Sequence, residues 1–311
     1  MPKSNVLVLG ASGTGAIDAI RFCRKSDLVG LVHATDFDPK SVGFLFCDRY
    51  LVRSGTEVSE INAYCESNDI SLIIPASHSE SERVAKHEST FSNPATLTLI
   101  PKYEVVKLCN DKLSLYRFLS ESVTCPMTSQ RLNDFDKSIK IISKPRSGRG
   151  SEGIVTAIAD NFIAIDDWEN YILQEFIVGS EFTVDVVCDA ESNVRSSYTR
   201  RRLIVENGVS ICSKVERIPL IDSIVEKITK LIGLTGIGCL QFIRNNLGEL
   251  FLIEINPRLA GGFAASQELG GSFIENALQV GLGLQVQFVE ANEGTVCRYL
   301  ETINATNLKV T

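Results

Sequence analysis

Histidine is scarce here, three residues in 311, and His33, His78 and His87 make no metal-ligand pattern with a cysteine pair. The nine cysteines are scattered, and none forms a CxxC pair. A zinc site and a disulfide framework are therefore excluded as organising features, and the spacing predicts reduced core thiols in a cytoplasmic protein. No apolar run approaches the roughly 18 residues that span a bilayer. The run near the N-terminus is too short for a signal peptide and reads as a first buried strand. A basic excess is also missing. Lys and Arg total 31 against 38 Asp and Glu, for a net charge of −7, which argues against nucleic acid or an anionic membrane as partner. Repeats and low-complexity stretches are absent as well.

What is present is ordinary for a globular chain, with 44% hydrophobic and 22% charged residues. The length allows two or three subdomains, since single cores stop growing near roughly 250–300 residues. In the first hundred residues, strand-like Val6–Leu9, Leu28–Ala34 and Ser71–Pro75 alternate with helix-like Ala16–Arg24 and Glu57–Asn68. That βαβαβ order predicts a doubly wound parallel sheet. After Asn110 the texture changes to a mixed α+β region. Helices are expected over Lys112–Glu121, Ile221–Ile232 and Phe273–Leu282, with hairpins at Asn207-Gly208 and Asn245–Gly248.

Five stretches carry chemistry. Gly10-Ala-Ser-Gly-Thr-Gly15 follows the first strand, but its glycines miss the G-x-G-x-x-G spacing. It reads as a tight strand-to-helix turn whose helix start receives a small anion, although Asp36 at the end of the second strand leaves a nucleotide open. In Ile141–Gly153 a strand delivers Lys144 beside a loop holding Ser147, Gly148, Gly150 and Ser151. Glycines let backbone N–H groups reach phosphate oxygens and the lysine adds a point charge. Without a G-K-[ST] ending it is no P-loop; the alternative is a surface hairpin. Around Val178–Ser180, the amides of Phe176 and Ile177 suit an adenine edge, and Glu175 and Glu181 suit an amine and a ribose hydroxyl; an ordinary hairpin fits equally. Three consecutive arginines, Arg200, Arg201 and Arg202, cannot share a face on a strand, so Arg200 and Arg202 point one way and Arg201 the other. They suit either an anion or a charged edge strand.

The most informative stretch is Phe251-Leu-Ile-Glu-Ile-Asn-Pro-Arg258. Residues two apart on a strand face together, so Glu254 and Asn256 do. The turn at Asn245–Gly248 makes the preceding strand antiparallel and brings Gln241 alongside. Such oxygen ligands suit Mg²⁺ completed by phosphate and water. Arg258, one step beyond, is placed to stabilise a transferring phosphoryl group. An acid in so apolar a run is costly unless paired or metal-bound.

Together, Asn110-Asp-Lys112, Ser143-Lys-Pro145 with its glycine loop, Gln174–Ile177 with Glu181, and Glu254–Arg258 resemble the ATP-grasp superfamily, in the form of a single synthetase unit of the carbamoyl-phosphate synthase large chain. The resemblance implies an N-terminal α/β substrate-side domain over residues 1–109 and an ATP-grasp fold over residues 110–311, its lid subdomain about 122–174. It implies ATP and Mg²⁺ as cofactors. Lys112, Lys144, Ser147, Gly148, Gly150 and Ser151 would meet the phosphates, Glu175, Phe176 and Ile177 the adenine, and Glu181 the ribose. Gln241, Glu254 and Asn256 would bind metal, and Arg258, Lys144 and Arg202 would act in catalysis. Arg200 or Arg202, with Lys214, would hold an acyl phosphate. The implied activity is ADP-forming ligation of a small-molecule carboxylate to an amine through an acyl phosphate. The alternative is phosphorylation of bicarbonate or carbamate. A homodimer is expected on base rates.

Overall fold

The computed structural model describes residues 2–148, 153–162, 168–206 and 208–305. The first sheet is wholly parallel. Its strands are β1 (Ser4–Leu9), β2 (Val29–Asp36), β3 (Arg49–Val52) and β4 (Ile70–Ile74), in the order β3-β2-β1-β4. Helix α1 (Thr14–Cys23) and helix α2 (Val58–Ser67) lie on opposite faces, because alternate residues of β1 enter different cores. Val6 and Val8 pack with Ala16 and Ile20 of α1, whereas Leu7 and Leu9 pack with Ile61 of α2. The expected doubly wound sheet is therefore present, with a fourth strand that the sequence reading missed. β3 alternates no apolar residues inward and is exposed along most of its length. Helices α3 (His78–Lys86) and α4 (Tyr103–Asn110) were also missed.

Helix α5 (Lys112–Leu119) starts the rest of the chain, capped by the Asp111 carboxylate on the N–H groups of Leu113 and Ser114. A small antiparallel sheet follows, built from β5 (Thr128–Ser129), β6 (Lys140–Pro145), β7 (Val155–Ile158) and β8 (Tyr171–Glu175), ordered β5-β8-β6-β7. The large sheet then takes β9 (Gly179–Cys188), β10 (Val194–Glu206), β11 (Val209–Val215), β12 (Gly236–Asn245), β13 (Leu250–Asn256) and β14 (Gly294–Cys297), ordered β13-β12-β9-β10-β11-β14. Every neighbouring pair in it is antiparallel.

One face of the large sheet is apolar and the other carries function. Phe182, Val184, Leu240, Phe242, Leu252 and Ile255 pack under α6 (Pro219–Ile232) with its Ile221, Val225 and Ile228. The period of two then sends Thr183, Asp185 and Gln241 to the opposite face, and a register shift between Leu252 and Glu254 turns Glu254 there as well. Two further helices, α7 (Ala264–Glu268) and α8 (Phe273–Gly281), join the sheet to α1.

One cysteine expectation needs correction. Cys212 and Cys297 are cross-strand partners in the β11–β14 pair and form a disulfide, 85 residues apart in sequence. The other seven are free, buried or half-buried thiols, as expected. No helix among the described residues is long and apolar enough to cross a membrane.

Candidate active site

Two cavities meet on the polar face of the large sheet. The first, about 460 Å³, lies between the two antiparallel sheets; Lys112, Lys144, Gly148, Glu175, Phe176, Ile177, Glu181, Gln241 and Glu254 are in its wall. The second, about 320 Å³, lies between the start of α1 and the turn after β13, and is lined by Gly13, Thr14, Gly15, Arg200, Asn256, Arg258 and Gly261 among others. Arg202, Gly208 and Gln241 belong to both. Residues singled out far apart in the sequence are thus brought together. Ser147 is exposed and outside the first cavity's wall. Gly150 and Ser151 fall outside the described residues.

The β12–β13 register stands Gln241 directly opposite Glu254 and Cys239 opposite Asn256. Asn256 Nδ2 donates to Glu254 Oε1 at 2.9 Å, and Arg258 Nη2 donates to Asn256 Oδ1 at 3.2 Å. Across the cavity, Lys144 is buried at the end of β6. Burial lowers its pKa to about 8; Glu254 pulls it up and Lys112 pushes it further down. Burial lowers Lys112 too, against the opposing pull of Glu254 and Asp111. Glu254 is thus the carboxylate that both lysines feel.

Sequence reasoning missed a clamp behind these lysines. Arg146 donates to Asp111 through Nε at 2.7 Å and Nη2 at 2.6 Å. The Lys112 N–H donates to the Arg146 carbonyl at 3.1 Å, and Lys112 Nζ to that of Gly148 at 3.2 Å. Burial pulls the Asp111 carboxyl upward, but Arg146 and Ser114 outweigh it and hold it well below the usual range. The base of the glycine loop is thereby tied to the start of α5. The available signal was an aspartate immediately before a helix.

The segment after β8 differs from expectation in one detail. The Phe176 N–H donates to the Lys140 carbonyl at 3.0 Å, so this amide is not free for a ligand. Lys140 Nζ also sits 4.1 Å from the centre of the Phe176 ring, which fixes that side chain.

The arginine run divides as the period of two requires. Arg200 and Arg202 face the second cavity, and Arg201 faces away. Lys214 is the cross-strand partner of Arg201 and pairs with Glu216 at 3.0 Å. It therefore stands on the wrong face to join Arg200 or Arg202 at an acyl phosphate, which corrects that expectation. Arg200 is buried against Asp185, with Nε donating to Oδ2 at 2.8 Å. Its charge is thus largely met within the protein. Asp185→Ala leaves that guanidinium buried and unpaired, and is expected to cost about 3–5 kcal/mol of stability. Chemical denaturation of the variant measures this; a loss below about 1 kcal/mol would remove the pair as a structural support.

The turn after β13 is held from three sides. The Leu259 N–H donates to the Pro75 carbonyl at 2.8 Å, from the end of β4. A Cβ on Gly15 would stand 3.0 Å from the Ala260 carbonyl, so α1 approaches there only through a glycine. Arg298 donates to Asp18 of α1 at 2.6 Å and also to the Gly261 carbonyl. Asp36 is committed elsewhere: its carboxylate accepts the N–H groups of Ser12 at 2.7 Å and Phe37 at 2.8 Å. That leaves it no role as a ribose acceptor. Burial pushes the Cys239 thiol, in the second cavity's wall, up to about 12, so it is no nucleophile near neutral pH.

With this geometry in place, the likenesses to known proteins are informative. Residues 109–262 match the family of ATP-grasp domains. No curated protein matches the chain. Among solved structures, the biotin carboxylase domain of Hydrogenobacter thermophilus 2-oxoglutarate carboxylase, a dimer with MgADP, ADP and bicarbonate, aligns at a TM-score of 0.71. It is 18% identical, over 94% of this chain and 73% of that one. Campylobacter jejuni biotin carboxylase aligns at 0.72 with 17% identity, over 96% and 76%. N5-carboxyaminoimidazole synthetase from Staphylococcus aureus aligns at 0.72 with 13% identity, over 94% and 81%. At these identities the likeness speaks to the fold. Residues 109–262 match an ATP-grasp domain, and a parallel-sheet domain precedes them.

Proposed function

We propose that the chain is an ADP-forming carboxylate–amine ligase acting on MgATP. The observation that carries this reading is the meeting of the two cavities at Arg202, Gly208 and Gln241. One cavity is suited to a nucleotide and the other to its acceptor. In the first, Glu175 and Ile177 take the adenine edge, with Phe176 in the wall between them, and Glu181 the ribose. Lys112, Lys144 and Gly148 take the phosphates, and the roles of Ser147, Gly150 and Ser151 as phosphate contacts belong to the same proposal. The division at residues 109 and 110, with a lid over about 122–174, belongs to the same proposal.

Gln241, Glu254 and Asn256 fit Mg²⁺. They offer one carboxylate and two amide oxygens, and Gln241 and Glu254 are direct cross-strand partners. A cation with so few protein charges is completed by phosphate oxygens and water. When bound, the ion neutralises charge on the phosphates.

The second cavity suits a carboxylate. Its lining includes Arg200, Arg202 and Arg258 and, among the described residues, no Asp or Glu. A carboxylate oxygen attacks the γ-phosphorus and the bond to the β-bridging oxygen breaks, giving an acyl phosphate and ADP. The amine then attacks the acyl carbon, phosphate leaves, and the amine loses a proton. Arg258 stabilises the transferring group, and Lys144 holds phosphate oxygens in line.

The pKa of Lys144 gives this reading a pH signature. Bound phosphate favours the charged amine, so binding near pH 8 takes up a proton. Apparent MgATP affinity is expected to be flat below about pH 7 and to fall, by up to about tenfold per unit, above about pH 8. Calorimetry in two buffers of different ionisation enthalpy measures it, and a flat profile to pH 9.5 contradicts it.

A second reading is phosphorylation of bicarbonate or carbamate, as in carbamoyl-phosphate synthase. The bicarbonate bound to the Hydrogenobacter thermophilus domain favours it. The dimer of that domain likewise supports a homodimer here. ADP release measured with amino acids and amines, against bicarbonate with ammonia, tests the proposal. Turnover only with bicarbonate would replace the first reading by the second.

A further inference from the structure

Arg202 stands where the two cavities meet, and both terminal nitrogens of its guanidinium donate to the protein. Nη1 donates to Glu181 Oε2 at 3.1 Å and to Gln241 Oε1 at 3.3 Å, and Nη2 donates to the Gly208 carbonyl at 2.8 Å. The Arg202 side chain is 10% exposed and that of Glu181 50%. The bridge follows from the sheet. Arg202 and Glu181 come from adjacent antiparallel strands, Gln241 from the third, and all three face the cavities. A guanidinium keeps its proton at any ordinary pH, so this bridge opens only by exchange of partners.

Resting on the nucleotide reading, the partners of Arg202 are themselves ligand groups. Glu181 is the ribose acceptor and Gln241 a metal ligand. One guanidinium occupies both oxygens. Meanwhile Arg200 is neutralised by Asp185 at 2.8 Å, and Arg258 is bonded to Asn256 and to the Leu259 carbonyl. While Arg202 stays on Glu181, two of the second cavity's three arginines are paired with carboxylates.

We propose that Arg202 is a gate that sets the order of binding. Entry of MgATP exchanges the Glu181 and Gln241 contacts of Arg202 for ribose hydroxyl and metal. The guanidinium, still held by the Gly208 carbonyl, then turns its freed N–H groups to the anionic acceptor. Nucleotide therefore binds first, and acceptor binds more tightly to the nucleotide complex than to the empty protein. By linkage the acceptor tightens the nucleotide by the same factor.

The gate makes a prediction that a simple phosphate-binding arginine does not. Nucleotide must displace Arg202, so removing it helps nucleotide to bind. Titrating the full chain with MgADP, Arg202→Ala is expected to bind about tenfold more tightly than the unaltered protein, because charge-assisted hydrogen bonds no longer compete. ADP release with a carboxylate substrate is expected to fall at least about a hundredfold. Arg202→Gln removes the charge but leaves a polar side chain with most of the aliphatic stem, and is expected to shift in the same direction should the alanine variant not fold. Equal or weaker MgADP affinity in a folded variant would overturn the gate and make Arg202 a plain phosphate ligand. If the unaltered chain binds no MgADP at all, the nucleotide reading itself fails.

Discussion

Glu254→Ala is expected to reduce ADP release at least about a thousandfold while the protein stays folded. Glu254 projects from β13 opposite Gln241, bonded to Asn256 and facing the cavity that holds Lys112 and Lys144. Its loss acts twice. The carboxylate of the metal set disappears, leaving two amide oxygens to hold a strongly hydrated cation. The counter-charge that pulls both lysine pKa values upward also disappears. Lys144, already lowered to about 8 by burial, would then be partly neutral at working pH and grip phosphate less well. The fold tolerates the change because Glu254 is half-buried toward a cavity, while Leu252 and Ile255 anchor β13 in the apolar core. Thermal unfolding and an ADP-coupled assay on one preparation give both readings. A variant that released ADP at the parent rate would remove Glu254 from the site.

Lys144→Ala is expected to weaken MgATP binding by about 10- to 100-fold, the worth of a charge-assisted hydrogen bond to phosphate. Its effect on stability has the opposite sign to most core truncations. Lys144 is only 7% exposed, and an amine held that far from water is costly to keep charged. The melting temperature is therefore expected to hold or rise. Lys144→Arg is expected to restore little, since a planar fork does not replace a point charge at the end of a buried stem. Unchanged nucleotide affinity in the alanine variant would take Lys144 out of the phosphate site.

Much of this site was legible because it obeys local rules. The strand period puts Glu254 and Asn256 on one face, and the Asn245–Gly248 turn makes the β12–β13 pair antiparallel, so Gln241 follows. The same period separates Arg201 from its two neighbours. What escaped was set by long-range pairing, which no local pattern encodes. Lys214 looked available until the β10–β11 register made it the partner of Arg201. Cys212 met Cys297 only because β14 closes the edge of the large sheet. Arg298 reaches Asp18 across 280 positions of sequence. In the parallel sheet, β3 was lost because an exposed edge strand shows little hydrophobic alternation. Asp36 left a nucleotide open by position, and its carboxylate proved committed to N–H groups of Ser12, in the turn after β1, and of Phe37.

The central claim is that MgATP is the ligand of the first cavity, and direct calorimetric titration of the full chain tests it most simply. The account predicts saturable MgATP binding that is weakened in Glu254→Ala and Lys144→Ala, with no comparable binding of NAD or NADP. Tight dinucleotide binding without MgATP binding would contradict it.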